Sequence, residues 1–463
     1  MIASTQRTLA APLDCDARTR MSNAPQNPKP PSMPPAKHDA FAALRVANYR
    51  LYAAGFVCSS TGLQIMSTAL AWEIWDRTHD AFLLGLAGLA RALPVILLTL
   101  PAGTIVDHTD RKRVLAITQF GFALVALLLA FASLADASLT ITYLLLVLSG
   151  CVRSFNAPSR GALLPSLLPV GGFENAIAWQ SGFFQFAAIC GPLAAGGIIW
   201  WTGSTEVCYF VTSVACAIFA TTALFLKPRP VAPRKSATGL RGMIEGAEHI
   251  YKEKTIFGAL VLDLLAVLFG GATALLPIYA DEILHVDAVG LGALRAAPYV
   301  GALVMAGWLT SRGGFERAGV ALLWSVVGFG ICMIVFGLST SFWLTMLALA
   351  VGGALDNISV VVRHVLIQTR TPDGLRGRTT AVNSVFIECS NEVGSFESGV
   401  VAQWLGPVVS ATSGGVGTLA IAGFVAWAFP ALRKLGRLTE TPQDVVAAEE
   451  EADPHRRLGA EGQ

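Results

Sequence analysis

Long apolar runs recur along the chain, separated by short polar connections. Twelve can be delimited, at 51–75, 82–106, 114–135, 139–159, 175–200, 206–226, 256–280, 288–310, 318–338, 342–365, 380–404 and 411–432. A bilayer core of ~30 Å is crossed by about 20 residues of helix, so each run is long enough to span. Runs this continuously apolar predict helices rather than barrel strands, and only these two structures satisfy their backbone groups in lipid. The pattern therefore predicts an all-α integral membrane protein with twelve spans, numbered 1–12 below.

Composition supports this reading. Of the 463 residues, 54% are apolar and 14% are charged, and the mean hydropathy is +0.58. Soluble chains carry about 25% charged residues, and no globular core could hide so much apolar surface from water. The 8 cysteines show no CxxC or Cys/His spacing. They read as small apolar residues, so neither a disulfide framework nor a metal site is expected. No Walker loop, GxSxG or HExxH motif is present, which argues against an enzyme, a cofactor and ATP as an internal energy source.

The net charge of +2 says little, but the positions of the charges say more. All but three of the 33 Lys and Arg residues lie in the tails, in the connections that follow even-numbered spans, or at the ends of the spans that border them. The exceptions are Arg77, outside, and Arg91 and Arg295, within spans 2 and 8. The positive-inside rule then puts both termini and these basic loops in the cytoplasm. The basic loops are expected to contact anionic lipid rather than nucleic acid. The Pro-rich residues 1–44 are expected to form a disordered cytoplasmic tail, as are 436–463.

The chain also repeats itself. At an offset of 204 residues, Gly88, Arg91, Pro94 and Gly103 match Gly292, Arg295, Pro298 and Gly307; at 203, Arg160, Pro169, Ser181, Gly191 and Gly196 match Arg363, Pro372, Ser384, Gly394 and Gly399. Span n is thereby related to span n+6. Two six-helix halves, 45–226 and 256–435, are expected, joined by a basic loop at 227–255. Parallel halves of this kind meet around a site near the bilayer midplane, where alternating access operates.

Twelve spans in 6+6 halves, with GTIVDHTDRKR between spans 2 and 3, resemble the major facilitator superfamily. Its loop signature is matched at Gly103, Asp107, Arg111 and Lys112, and departs at His108 and Asp110, where a cation and a glycine are usual. DLLAVLFGGATALLPIYADEIL, LRAAP and SNEVGSFESG in the second half resemble the enterobactin-exporter-like branch, the transmembrane secretion effectors. The resemblance implies a secondary transporter of the bacterial inner membrane, a proton-coupled exporter of small amphipathic molecules such as siderophores or drugs, acting as a monomer. The alternatives are an uptake permease of the same fold and a non-transporting membrane sensor or scaffold. It also implies that Asp107 faces the N-terminal end of span 11 across the boundary between halves, as a conformational gate. Span 5 carries GPLAAGG (Gly191–Gly197), one residue longer than the antiporter signature of this helix. It reads as a packing face or a rocking hinge.

Charges at membrane depth cost ~2.5–3.5 kcal/mol on insertion scales, so each needs an account. Arg91 and Arg295 are either pinned to backbone carbonyls in each half, or contact an anion or a membrane carboxylate. Glu388 and Glu392 share one face of span 11, near Ser384 and Asn391, whereas Glu397 lies off it. They are candidates for proton coupling, or for a packing network with Asn383, Asn391 and an arginine of span 2 or 8. Asp263 and Asp356 are further proton candidates, Asp263 with Arg241 or Lys254 as its expected partner. Glu73, between Trp72 and Trp75, is expected at the interface. Helix direction nominates Gln64, Gln180, Phe183, Phe184, Asn357, Asn383 and Phe386 as substrate-cavity residues.

Overall fold

A computed structural model describes residues 41–169, 172–229, 240–312, 315 and 317–436. Most of the tail expected at 1–44 and nearly all of that at 436–463 lie outside the described residues. Within them the regular structure is helical, with no strand. The first half comprises α1 (Ala47–Thr78), α2 (Ala81–His108), α3 (Arg111–Leu134), α4 (Leu139–Leu163), α5 (Phe173–Thr202) and α6 (Glu206–Phe225). A shorter helix, α7 (Leu240–Lys252), precedes the second half of α8 (Lys254–Gly270), α9 (Ala288–Arg312), α10 (Ala318–Leu338), α11 (Phe342–Arg370), α12 (Asp373–Leu405) and α13 (Pro407–Ala428). Spans 7–12 are thus α8–α13.

Local chemistry explains the boundaries. Asp80 caps α2 by accepting from the amides of Phe82 and Leu83, and Asp287 caps α9 through Val289 and Gly290. Each carboxylate satisfies amides that a helix start leaves without partners. Gly203, with φ +68°, closes α5 in the left-handed region that glycine adopts without strain. Asp110 stands where the superfamily loop carries glycine. Its φ is −66° and its carboxylate accepts from the Lys112 amide, so the position is a helix cap and needs no glycine.

Ten of the helices are long and apolar enough to cross a membrane. The two others of that length, α1 and α12, carry Glu73, Asp76 and Arg77, and Glu388, Glu392 and Glu397. These charged residues lower their mean hydropathy. Span 7 is not the continuous helix expected over 256–280. It breaks after Gly270, continues through a 3-10 turn (Ala272–Leu275) and ends in a π turn (Tyr279–Ile283). A Cβ on Gly271 would sit 2.9 Å from the Gly394 carbonyl carbon, so the break lies where the α12 backbone comes closest. The segment read as a basic loop at 227–255 also contains α7. This helix lies against α8 and α12, with Ile250 buried and Glu245 paired with Arg378.

The two halves pack alike. In the first, α1 lies against α5 and α6, α2 against α4, and α3 against α4 and α6. In the second, α8 lies against α12 and α13, α9 against α11, and α10 against α11 and α13. Two crossings join them, α2 with α12 and α5 with α9, and these exchange under the same repeat. Both crossings are closed at the end opposite the basic loops. A Cβ on Gly85 would lie 3.1 Å from the Gly399 Cα, and one on Gly292 would lie 3.1 Å from the Pro192 carbonyl carbon. Trp75 donates to Asp281 at 3.0 Å across the same boundary. At the basic end, Gly103, Gly182, Gly307 and Gly377 have no neighbouring helix within 4 Å of a Cβ position. The halves touch at one end and part at the other.

Candidate functional site

Two adjoining chambers lie between the halves. The first, of about 120 Å³, is largely apolar, walled by Val95, Ile96, Ala157 and Val385. Four ionisable side chains enter it in two pairs. Arg153 of α4 donates to both oxygens of Glu388, at 3.0 and 2.8 Å. Arg91 of α2 faces Glu392 at 3.8 Å. Each pair takes its cation from the first half and its anion from α12, so both bridge the boundary between the halves. Gly88 permits this approach, since a Cβ there would meet the Glu392 Oε2 at 3.0 Å.

The second chamber, of about 90 Å³, is polar and lies toward the closed end. Arg91 and Arg295 both line it, with Ser67, Thr273 and Ser395. Arg295 donates to the Ser67 carbonyl at 3.1 Å and to its hydroxyl at 3.3 Å. The break in span 7 carries Thr273 to this wall. Of the two readings of these arginines, Arg295 follows the carbonyl contact and Arg91 the membrane carboxylate.

Asp263 and Asp356 lie elsewhere, inside the second half. Asp263 pairs with Arg363 rather than with Lys254, and accepts from Ser359 at 3.4 Å; the side chain of Arg241, the other expected partner, lies outside the described residues. Arg363, counted in the sequence with the basic residues at the end of span 10, lies within α11 with its side chain 2% exposed, against 8% for Asp263. Asp356 borders the small cavity beside that pair. In the first half, Ser59 at the position related to Asp263 donates to Gln119, and Gln119 donates to Asn156, while the counterparts of Arg363 and Asp356 are the charged Arg160 and Arg153. Glu73 also departs from expectation. It is buried rather than interfacial, and accepts from Arg77, Thr205 and Tyr209.

The loop between α2 and α3 is anchored at its basic residues. Arg111 donates to the Ala162 carbonyl and Lys112 to that of Leu226. Such cations suit the carbonyl-rich ends of α4 and α6. Asp107 is exposed without an ion pair among the described residues, and Gly103 has no close neighbour, so the gate contact is not made in this conformation. GPLAAGG forms contacts: Gly191 abuts Gln64 of α1, and Gly196 abuts the Ala288 backbone of the other half.

The seven nominated cavity residues are not brought together. Gln64 packs on Gly191 and Phe183 on Trp179, whose ring lies 5.4 Å away. Asn383 is fully buried with its Oδ1 unpartnered, as is the Oδ1 of Asn357. Phe386 borders an apolar groove beneath α7, while Phe184 is exposed and Gln180 half-buried. Nor are all the cysteines within the spans buried, since Cys58 is exposed and Cys389 borders the apolar chamber. The signal missed in the sequence is Arg153. At the offset of 203 it aligns with Asp356, so both halves carry a charge there.

Two repeated six-helix halves around a charged central space define a transporter of the major facilitator type. Solved structures agree on the fold. The nucleoside transporter NupG matches with a TM-score of 0.62 at 15% identity, over 83% of this chain and 99% of that one. A bacterial homologue of the human lysosomal transporter Spinster matches at 0.63 and 13%, over 84% and 96%. The chain belongs to the transmembrane secretion effector family, whose profile matches residues 38–456. The enterobactin exporter EntS of Shigella boydii is 25% identical over 416 residues, which is 89% of this chain and 96% of that protein. EntS of Escherichia coli O1:K1 matches over the same share. The protein is accordingly a multi-pass membrane transporter of a small molecule, not an enzyme.

Proposed function

We propose that this protein is a secondary active exporter of small amphipathic molecules, of the siderophore or drug class, driven by proton entry. The observation that carries the coupling is the pair of arginine–carboxylate contacts between the halves, Arg153 with Glu388 and Arg91 with Glu392. A proton on either carboxylate removes its charge and weakens the bridge, while its loss restores the bridge. Proton binding is thereby linked to the boundary that opens and closes. The enterobactin exporters among the relatives support both the export direction and the siderophore class.

With the basic loops in the cytoplasm, the conformation described above is open inward and closed outward. Substrate then enters from the cytoplasm into the apolar chamber. The test is substrate accumulation by inverted membrane vesicles with and without an imposed proton gradient. Gradient-dependent uptake is expected, and Glu388→Gln or Glu392→Gln should abolish it while leaving substrate binding measurable. Unchanged transport and pH dependence in both variants would remove these carboxylates from the coupling step.

A further inference from the structure

The polar chamber has an imbalance of charge that the proposed coupling scheme does not use. Arg91 and Arg295 occupy repeat-related positions and line the same chamber. Arg91 faces Glu392. Under the repeat, the position in α5 that corresponds to Glu392 is Ile189, so no carboxylate is presented to Arg295 from that side. No Asp or Glu lies within ion-pair distance of Arg295 among the described residues, and its donors reach only the neutral oxygens of Ser67. The Arg91 Nε is buried and without a partner. The remaining polar walls, Thr273 and Ser395, are hydroxyls. Arg91 thus has one carboxylate, at 3.8 Å on the wall of the adjoining apolar chamber, and Arg295 has none.

A buried cation without a counter-ion is costly in a membrane and is retained where something else supplies the charge. We infer that the polar chamber is an anion site, and that the substrate is an amphipathic organic anion. Its carboxylate or similar acidic head group lies between Arg91 and Arg295, and its apolar body rests in the adjoining chamber against Val95, Ile96 and Ala157. Guanidinium forks suit such a head group because they donate two parallel hydrogen bonds to one planar anion. Glu392 is then an internal competitor, occupying Arg91 until the substrate displaces it.

This inference deepens the export reading by naming the charge of the substrate, but its test needs neither transport nor a gradient. Purified full-length protein in nanodiscs would be titrated calorimetrically with 2-naphthoate and with its neutral isostere 2-naphthamide. The carboxylate is expected to bind about tenfold more tightly, as one charge-assisted contact implies. Arg295→Gln should bring the two probes within twofold of each other, whereas Glu392→Gln should tighten the carboxylate alone by removing the competitor. Equal binding of both probes to the native protein would overturn the site. So would no saturable carboxylate binding at millimolar concentration, or an Arg295→Gln protein that keeps its preference.

Discussion

The charged pair inside the second half allows a sharp test of stability against function. Asp263→Asn removes the carboxylate from Arg363 but leaves the guanidinium where it is, 2% exposed and with Ser359 supplying only a hydroxyl nearby. Breaking a buried ion pair by removing one partner costs ~3–5 kcal/mol. Asp356, at the edge of the same cavity, offsets part of this, so the lower figure applies. A loss of about 3 kcal/mol is roughly a hundredfold in an equilibrium constant. For a unit the size of one half it lowers Tm by roughly 6–12 °C. Asp263→Asn combined with Arg363→Met removes both charges and should recover more than half of that loss, because an apolar replacement for a buried pair is often close to neutral. Thermal unfolding in detergent, followed by tryptophan fluorescence, is the assay. A Tm for Asp263→Asn within 1–2 °C of the native protein would refute the reasoning, since that is below 1 kcal/mol on the same scale. So would a double variant no more stable than the single one. A double variant of restored stability that has lost gradient-driven transport would instead assign Asp263 to the coupling step.

Asp107→Asn should lower turnover strongly with little effect on expression or substrate affinity, and Asp107→Glu should retain part of the rate. Normal vesicle transport by the Asn variant would reduce this loop to a topology anchor. Gly85→Val should prevent closure of the α2–α12 crossing, because its Cβ would already lie 3.1 Å from the Ser395 carbonyl oxygen. On a cysteine-free background, a cysteine at Thr273 should then react with an external thiol reagent, and unchanged protection would count against this crossing as the outer closure. For orientation, a cysteine at Val286 should be labelled from outside and one at 236–240 only after the membrane is opened. The reverse pattern would invert the topology.

The apolar runs, the distribution of Lys and Arg and the internal repeat were enough to read a membrane transporter of two parallel halves. These are one-dimensional consequences of the solvent. Every span must hide its backbone polarity in a helix, and charges that cannot cross collect on one side. The motif loop could be read for the same local reason, although the helix cap formed by Asp110 could not. The pairing of charges was a different matter. Glu388 and Glu392 were recognised as a functional face of one helix, but their partners, Arg153 and Arg91, are some 235 and 301 positions away in the chain. Arg363 was counted with the basic residues at the end of span 10 because helix ends are soft in sequence, and only packing against α8 shows it to be buried. The substrate-cavity residues were chosen from helix direction alone, and the rotation of each helix about its axis is set by its neighbours. The break at Gly270–Gly271 has the same origin: an apolar run reads as one helix until another backbone comes close enough to interrupt it. What stayed hidden was therefore every contact set by how helices face one another, within a half as at Asp263 and Arg363 and between the halves as at Arg153 and Glu388.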